Sequence, residues 1–147
     1  MGTSTVRWVG GKSFVGTDST KHSVVISTPD AGIGMKPSEL LLVALASCTA
    51  VDVVEILSKK HTQLDCLEIS ATGEQDADPP WAFRKIHLCY SLGGRGLTQK
   101  NVEQAIRLSE EKYCSVAATL RGVAEIDFDY EILPEAELTT NYTNRKI

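Results

Sequence analysis

Hydrophobic and polar positions along this chain change period several times, and each change marks an element. Over the first third, short β-branched runs alternate with turn residues. Thr5 to Val9 ends at Gly10-Gly11, Ser13 to Gly16 ends at Thr17-Asp18-Ser19-Thr20, and His22 to Ser27 ends at Thr28-Pro29-Asp30. Each run predicts a short strand. Gly32 and Gly34 make the next stretch a loop that delivers the chain to Pro37.

Pro37 suits the first position of a helix, and Glu39 falls in its first turn, where a carboxylate meets the positive helix end. From Leu40 to Leu57 the sequence is apolar on nearly every side of a 3.6-residue period, so this helix must be enclosed, inside the domain or in a dimer. Ser58-Lys59-Lys60-His61 closes it with cations. Asp52 and Glu55 interrupt the apolar run, which favours a buried core helix over a membrane span.

Period two returns beyond it. Leu67, Ile69 and Ala71 alternate with Cys66, Glu68 and Ser70, and after a loop from Gly73 to Trp81, Ile86, Leu88, Tyr90 and Leu92 alternate with Lys85, His87, Cys89 and Ser91. Pairing Leu67 with Leu88 would set Cys66 opposite Cys89. Gly93 to Gly96 reads as a turn, and Thr98 as the N-cap of a second helix reaching about Tyr113, with Val102, Ala105, Ile106, Ser109 and Tyr113 on one stripe. Cys114 to Leu120 predicts another helical piece. In the last strand Ala124, Ile126, Phe128, Tyr130 and Ile132 face in, opposite Glu125, Asp127, Asp129 and Glu131. The tail after Pro134 is expected to be weakly ordered or partner-dependent. The whole, residues 1–147, reads as one α+β domain in the order βββ-α-ββ-α-β.

Composition narrows the function classes. The chain has 147 residues, 42% of them apolar and 23% charged, which is enough for a core without metals or staples. A net charge of −4, with Lys and Arg scattered, argues against nucleic acid or an anionic membrane as partner. Met1 to Gly11 lacks a cationic flank followed by an apolar core, so no signal peptide is expected. Four cysteines without an export signal suggest reduced thiols in a cytoplasmic protein. None forms a C-x-x-C pair, so no metal site is expected there. Cys66, His87 and Cys89 share a strand face but lack ligand spacing.

Cys48 lies in the middle of the enclosed helix and Cys114 at the end of the second. Free cysteine is among the most buried residue types, and spacing alone leaves simple packing open for both. Lys112 would lower the pKa of Cys114, while Glu110 and Glu111 oppose it.

Two motifs add to that reading. Lys36-Pro37-Ser38-Glu39-Leu40-Leu41-Leu42-Val43-Ala44-Leu45-Ala46-Ser47-Cys48-Thr49, followed by Val51-Asp52-Val53-Val54, resembles the first signature of the OsmC/Ohr family. Ser109-Glu110-Glu111-Lys112-Tyr113-Cys114-Ser115-Val116 is similar to the second. The resemblance runs over about residues 4 to 133. It implies an OsmC-like fold: an intertwined homodimer with long central helices wrapped by antiparallel sheets. It further implies a thiol peroxidase in which Cys48 attacks an organic hydroperoxide and Cys114 resolves the sulfenate. A dithiol reductant (lipoyl-type or a small thiol) would restore the pair, and no cofactor is needed.

The sequence departs from the family pattern beside the thiols. The glutamate that follows the helix proline is replaced by Ser38, with Glu39 one residue later, and no arginine occurs between Trp8 and Phe83. Lys12 and Arg7 are the candidates for the cation that holds the attacking thiolate. Lysine offers a point charge where arginine offers a fork. Ser115 stands where classical members have proline. These departures point to the YhfA-like branch and leave a second reading, a non-catalytic dimer that binds a small apolar or electrophilic ligand.

Overall fold

The computed structural model describes residues 2–134, so the expectation for the tail lies outside the described residues. The chain divides into two compact units with the boundary between Val43 and Ala44, inside the long helix.

The first unit is an antiparallel meander of β1 (Thr5–Gly10), β2 (Ser13–Thr17) and β3 (Ser23–Ser27), in that order across the sheet. Gly11, at φ 53°, takes the left-handed turn between β1 and β2 that a side chain would resist. After a single 3-10 turn at Pro29–Ala31, Gly34 and Met35 lie alongside β3, where Met35 forms a parallel bridge with Ile26. The Ser27 N–H donates to the Met35 carbonyl at 3.1 Å, and the Met35 N–H to the Val25 carbonyl at 3.0 Å.

Helix α1 (Pro37–Lys59) begins and ends within two residues of the expected limits. Its C-terminus closes by a Schellman pair: the Thr62 N–H reaches the Leu57 carbonyl at 3.2 Å and the His61 N–H reaches Ser58 at 3.0 Å. His61 holds the left-handed position at φ 57° that glycine more often fills.

The second unit is built on β4 (Gln63–Gln75) and β5 (Phe83–Arg95), a long antiparallel hairpin, with β6 (Glu125–Ile132) alongside β5. β6 runs parallel to β5, so this sheet is mixed where an antiparallel one was expected. The cause is the helical crossover between them, which returns the chain to the end from which β5 began. Ile86, Leu88, Tyr90 and Leu92 are fully buried, as their alternation predicted. The register sets Leu67 against Leu92, Ile69 against Tyr90 and Ala71 against Leu88. Cys66 therefore pairs with Gly93 and Cys89 with Ser70, which corrects the expected Cys66–Cys89 pairing. The shift from the expected register is an even number of residues. It keeps each side chain on its face while moving its neighbour.

The crossover consists of α2 (Gln99–Leu108), a π-helical turn (Ser109–Tyr113) and α3 (Ser115–Leu120). Thr98 caps α2, its side chain accepting from the Asn101 N–H at 3.2 Å. Val102, Ala105, Ile106 and Ser109 are buried as one stripe, but Tyr113 is exposed. That exposure corrects the expected stripe, because the π turn inserts an extra residue before position 113.

At Gly94 the β4–β5 pairing leaves no room for a side chain, since an added Cβ would lie 2.0 Å from the Gln63 carbonyl oxygen. Gly94→Ala is expected to cost about 2 kcal/mol or more, read as a thermal-midpoint fall of roughly 5 °C or more by calorimetry.

Candidate active site: two thiols across a π-helical turn

In α1, Leu45, Thr49, Val53 and Leu57 form one buried row, each four residues after the last. Cys48 and Asp52 lie on the adjacent row, also four apart, and both are half-buried. The second half of the site comes from the π turn. The Cys114 N–H donates to the Ser109 carbonyl at 2.8 Å, an i to i+5 bond. At Cys114 the backbone leaves helical geometry (φ −72°, ψ 103°), and α3 starts at the next residue.

Cys114 is 2% exposed, and its thiol lies close enough to Cys48 for that neighbour to influence its titration. Both are free thiols. The Cys114 sulfur also caps α3 by accepting the Ala117 N–H at 3.3 Å. Burial, reinforced by the Cys48 thiol, pushes the Cys114 pKa up to about 11, against the pull of the Ala117 N–H. At neutral pH Cys114 therefore stays protonated and shielded. Cys48 is the partner that a solute reaches first.

One turn along α1, Ser109 Oγ donates to Asp52 Oδ2 at 2.8 Å. This bond escaped the sequence reading, since Ser109 passed there as one small residue of an apolar stripe. Glu110 escaped it as well: the π turn carries it inward to 6% exposure, where a regular helix continuing to Tyr113 would suggest a wet carboxylate. Arg121 Nη2 lies 3.7 Å from Glu110 Oε2, and Oε1 has no partner among the described residues. Burial raises the Glu110 pKa to about 7, against the pull of Arg121 and Arg107. Tyr90 is buried too, its hydroxyl approaching Thr49 without a well-directed hydrogen bond.

The other candidates lie in the first unit. Glu39, in the first turn of α1, faces Lys36 at 3.8 Å. Lys12 is held by Asp30 in an ion pair. Arg7 stands on β1 and lines a cavity of about 520 Å³ with Thr5, Val15 and Lys21, and it makes no ion pair among the described residues. On the open face of the mixed sheet, His87 Nδ1 meets Asp127 at 2.6 Å and Nε2 meets Asp129 at 3.3 Å. The Asp127 carboxylate raises the His87 pKa, and a hydrogen bond to Asp129 pushes the Cys89 thiol up to about 11. Among the described residues no group of three or more His, Cys, Asp or Glu is disposed to hold a metal.

A two-sheet α+β fold with paired thiols on its long helix and its π turn defines an OsmC-like protein. The family profile described as OsmC-like protein matches residues 29–129, and the chain belongs to that family. Within it the chain falls in the YhfA-like branch. It is 36% identical to Protein YhfA of Escherichia coli (strain K12) over 129 residues, 87% of this chain and 96% of that protein. A hypothetical protein from Aquifex aeolicus VF5, of known crystal structure, is 28% identical with a TM-score of 0.78, covering 91% of this chain and 98% of that one. The organic hydroperoxide resistance protein OhrB of Bacillus subtilis shares the fold at 16% identity, TM-score 0.61, covering 89% and 98%. The resemblance carried by the two cysteine motifs thus holds across the chain.

Glu110 gives the fold a pH dependence of defined sign. Its folded pKa lies above its unfolded value, so folding binds a proton between about pH 4.5 and 7. Stability contributed by the neutral form is lost as pH rises through that window. Urea unfolding at pH 5 and pH 8 is expected to show Glu110→Gln stabilising the protein more at pH 8, by removing the cost of a buried carboxylate.

Proposed function

We propose that this chain is a cysteine-based thiol peroxidase that reduces organic hydroperoxides. The observation that supports it best is the juxtaposition of a reachable Cys48 and a buried Cys114, both free thiols. The Cys48 thiolate attacks the terminal peroxide oxygen, the O–O bond breaks, and the alkoxide takes a proton and leaves as an alcohol. Cys48 is then a sulfenic acid. The Cys114 thiol attacks that sulfur, the sulfenic oxygen leaves as water, and a Cys48–Cys114 disulfide remains. A dithiol of lipoyl type, or a small thiol, returns both sulfurs to the reduced state. Protection of Cys114 suits this order, because a buried, protonated thiol waits for a sulfenate beside it and does not compete for peroxide.

The working unit is a homodimer in the cytoplasm. α1 buries one row, while Val51 is 66% exposed and Val54 also faces outward, so a second copy supplies the cover this helix needs. For the cation at the attacking thiolate, Arg7 has its charge free among the described residues, whereas Asp30 already neutralises Lys12. Glu39, one residue after the family's glutamate position, is the candidate for its carboxylate support.

Mixing the reduced protein with tert-butyl hydroperoxide and titrating free thiols tests the reading. Loss of two thiols per chain is expected, abolished in Cys48→Ser. In Cys114→Ser a sulfenic acid should accumulate and be trapped by dimedone. If Cys48 stays reduced at excess peroxide, the peroxidase is excluded and ligand binding by an inert dimer remains. Arg7→Ala is expected to slow peroxide consumption at least tenfold, and Lys12→Ala by much less. Val51→Glu should shift the sedimentation of the protein from dimer to monomer.

A further inference from the structure

Ser109 makes two bonds that together join the two halves of the thiol pair. Its carbonyl accepts the Cys114 N–H at 2.8 Å, and its hydroxyl donates to Asp52 on α1 at 2.8 Å. Asp52 is one turn from Cys48, and Cys114 is one π turn from Ser109. The i, i+4 step on one element therefore faces an i, i+5 step on the other, with a hydrogen bond at one end and the thiols at the other. Ser109 is fully buried, so its hydroxyl has no water to exchange with and its direction is fixed by this partner. Lys60 Nζ to Gln104 Oε1, at 2.7 Å, is a further bridge from the C-terminal end of α1 to α2, but it joins two exposed side chains two turns or more away from the thiols.

We propose that Ser109 and Asp52 are positioning residues that hold Cys114 against Cys48, and that this bond sets how readily the disulfide closes. The role in catalysis rests on the peroxidase reading above; the effect on closure does not. A disulfide needs its Cα atoms within about 4.4–6.8 Å and a narrow range of approach angles. Of the elements that bear the sulfurs, α1 is a rigid regular helix, whereas the π turn is the tunable side, since a single turn of that type has poor intrinsic stability. Tying its first residue to α1 fixes the position of the fifth residue after it. The reaction itself is unchanged: a sulfenate and a thiol give a disulfide and water, or, with a disulfide oxidant, two thiols give a protein disulfide and the reduced oxidant.

The experiment has two arms on the full chain. In the first, wild type, Ser109→Ala, Asp52→Ala and Asp52→Asn are equilibrated with mixtures of oxidised and reduced glutathione, and the Cys48–Cys114 disulfide is quantified by mass spectrometry. The equilibrium constant for closure is expected to fall about tenfold in Ser109→Ala and Asp52→Ala, the effect of one buried hydrogen bond. Asp52→Asn keeps an oxygen to accept from Ser109 and should stay within about twofold of wild type. Asp52 is half-exposed, so Asp52→Ala carries the test even if the serine variant fails to fold. In the second arm, tert-butyl hydroperoxide is added with dimedone present. Cys48 oxidation should proceed at the wild-type rate in Ser109→Ala, which leaves the charge of Asp52 in place, while the trapped sulfenate rises at the expense of disulfide. Closure unchanged in both alanine variants overturns the proposal, and so does an Asp52→Asn variant as impaired as Asp52→Ala, which would assign the effect to charge. Normal closure with glutathione but no reaction with peroxide in the wild type would refute the peroxidase reading alone.

Discussion

The site depends on one backbone hydrogen bond that skips a residue. By pairing the Cys114 N–H with Ser109 instead of Glu110, the chain takes one π turn at the end of α2. Everything after Ser109 is rotated relative to a continuous α-helix. Glu110 moves in, Tyr113 moves out, and Cys114 arrives in the core with a helix starting at the next residue. A regular helix through this segment would follow the amphipathic stripe that includes position 113 and would carry the thiol elsewhere. The local cost of a poorer hydrogen-bond ring is offset by what it buries.

That geometry gives two chemically identical side chains different environments. Cys48 sits in a helix with a half-open face, and Cys114 is enclosed, protonated at neutral pH and used as a cap by the helix that follows it. The difference arises from packing and needs no distinct neighbouring base. It also explains why the buried polar groups gather here. Asp52, Ser109, Glu110 and Tyr90 come from three different elements and converge on the turn, where an apolar core would be simpler to build. Buried polar groups without full satisfaction are costly, and they persist where structure or chemistry requires them.

Much of the fold was legible because period and punctuation agreed. The alternation of Ile86, Leu88, Tyr90 and Leu92, the capping Thr98 and the proline at the head of α1 each named their element and its face. Register was not legible, since several even-numbered slips of β4 on β5 preserve the same faces and only tertiary packing chooses Leu67 against Leu92. The direction of β6 was obscured by the same local reading: a strand's sequence says which side is inward and not which way its neighbour runs. At the site, the cysteines were found through their motifs, but Ser109 and Glu110 were read by a helical period that the π turn breaks. A one-residue change of register has no strong signature in side-chain pattern when the residues concerned are Ser, Glu and Lys.

Helix α1 has the length and hydropathy of a segment able to cross a bilayer, and only about a fifth of its most apolar stretch is covered within the chain. Before its partners are in place, such a segment faces a sorting problem at the ribosome as much as a folding problem. Asp52 and Glu55 stand near the middle of its C-terminal half, and a carboxylate at the centre of a membrane helix costs about 2.5–3.5 kcal/mol on insertion scales. The side chain that grips Ser109 in the folded protein thus also adds a cost to any transfer of the newly made helix into a bilayer.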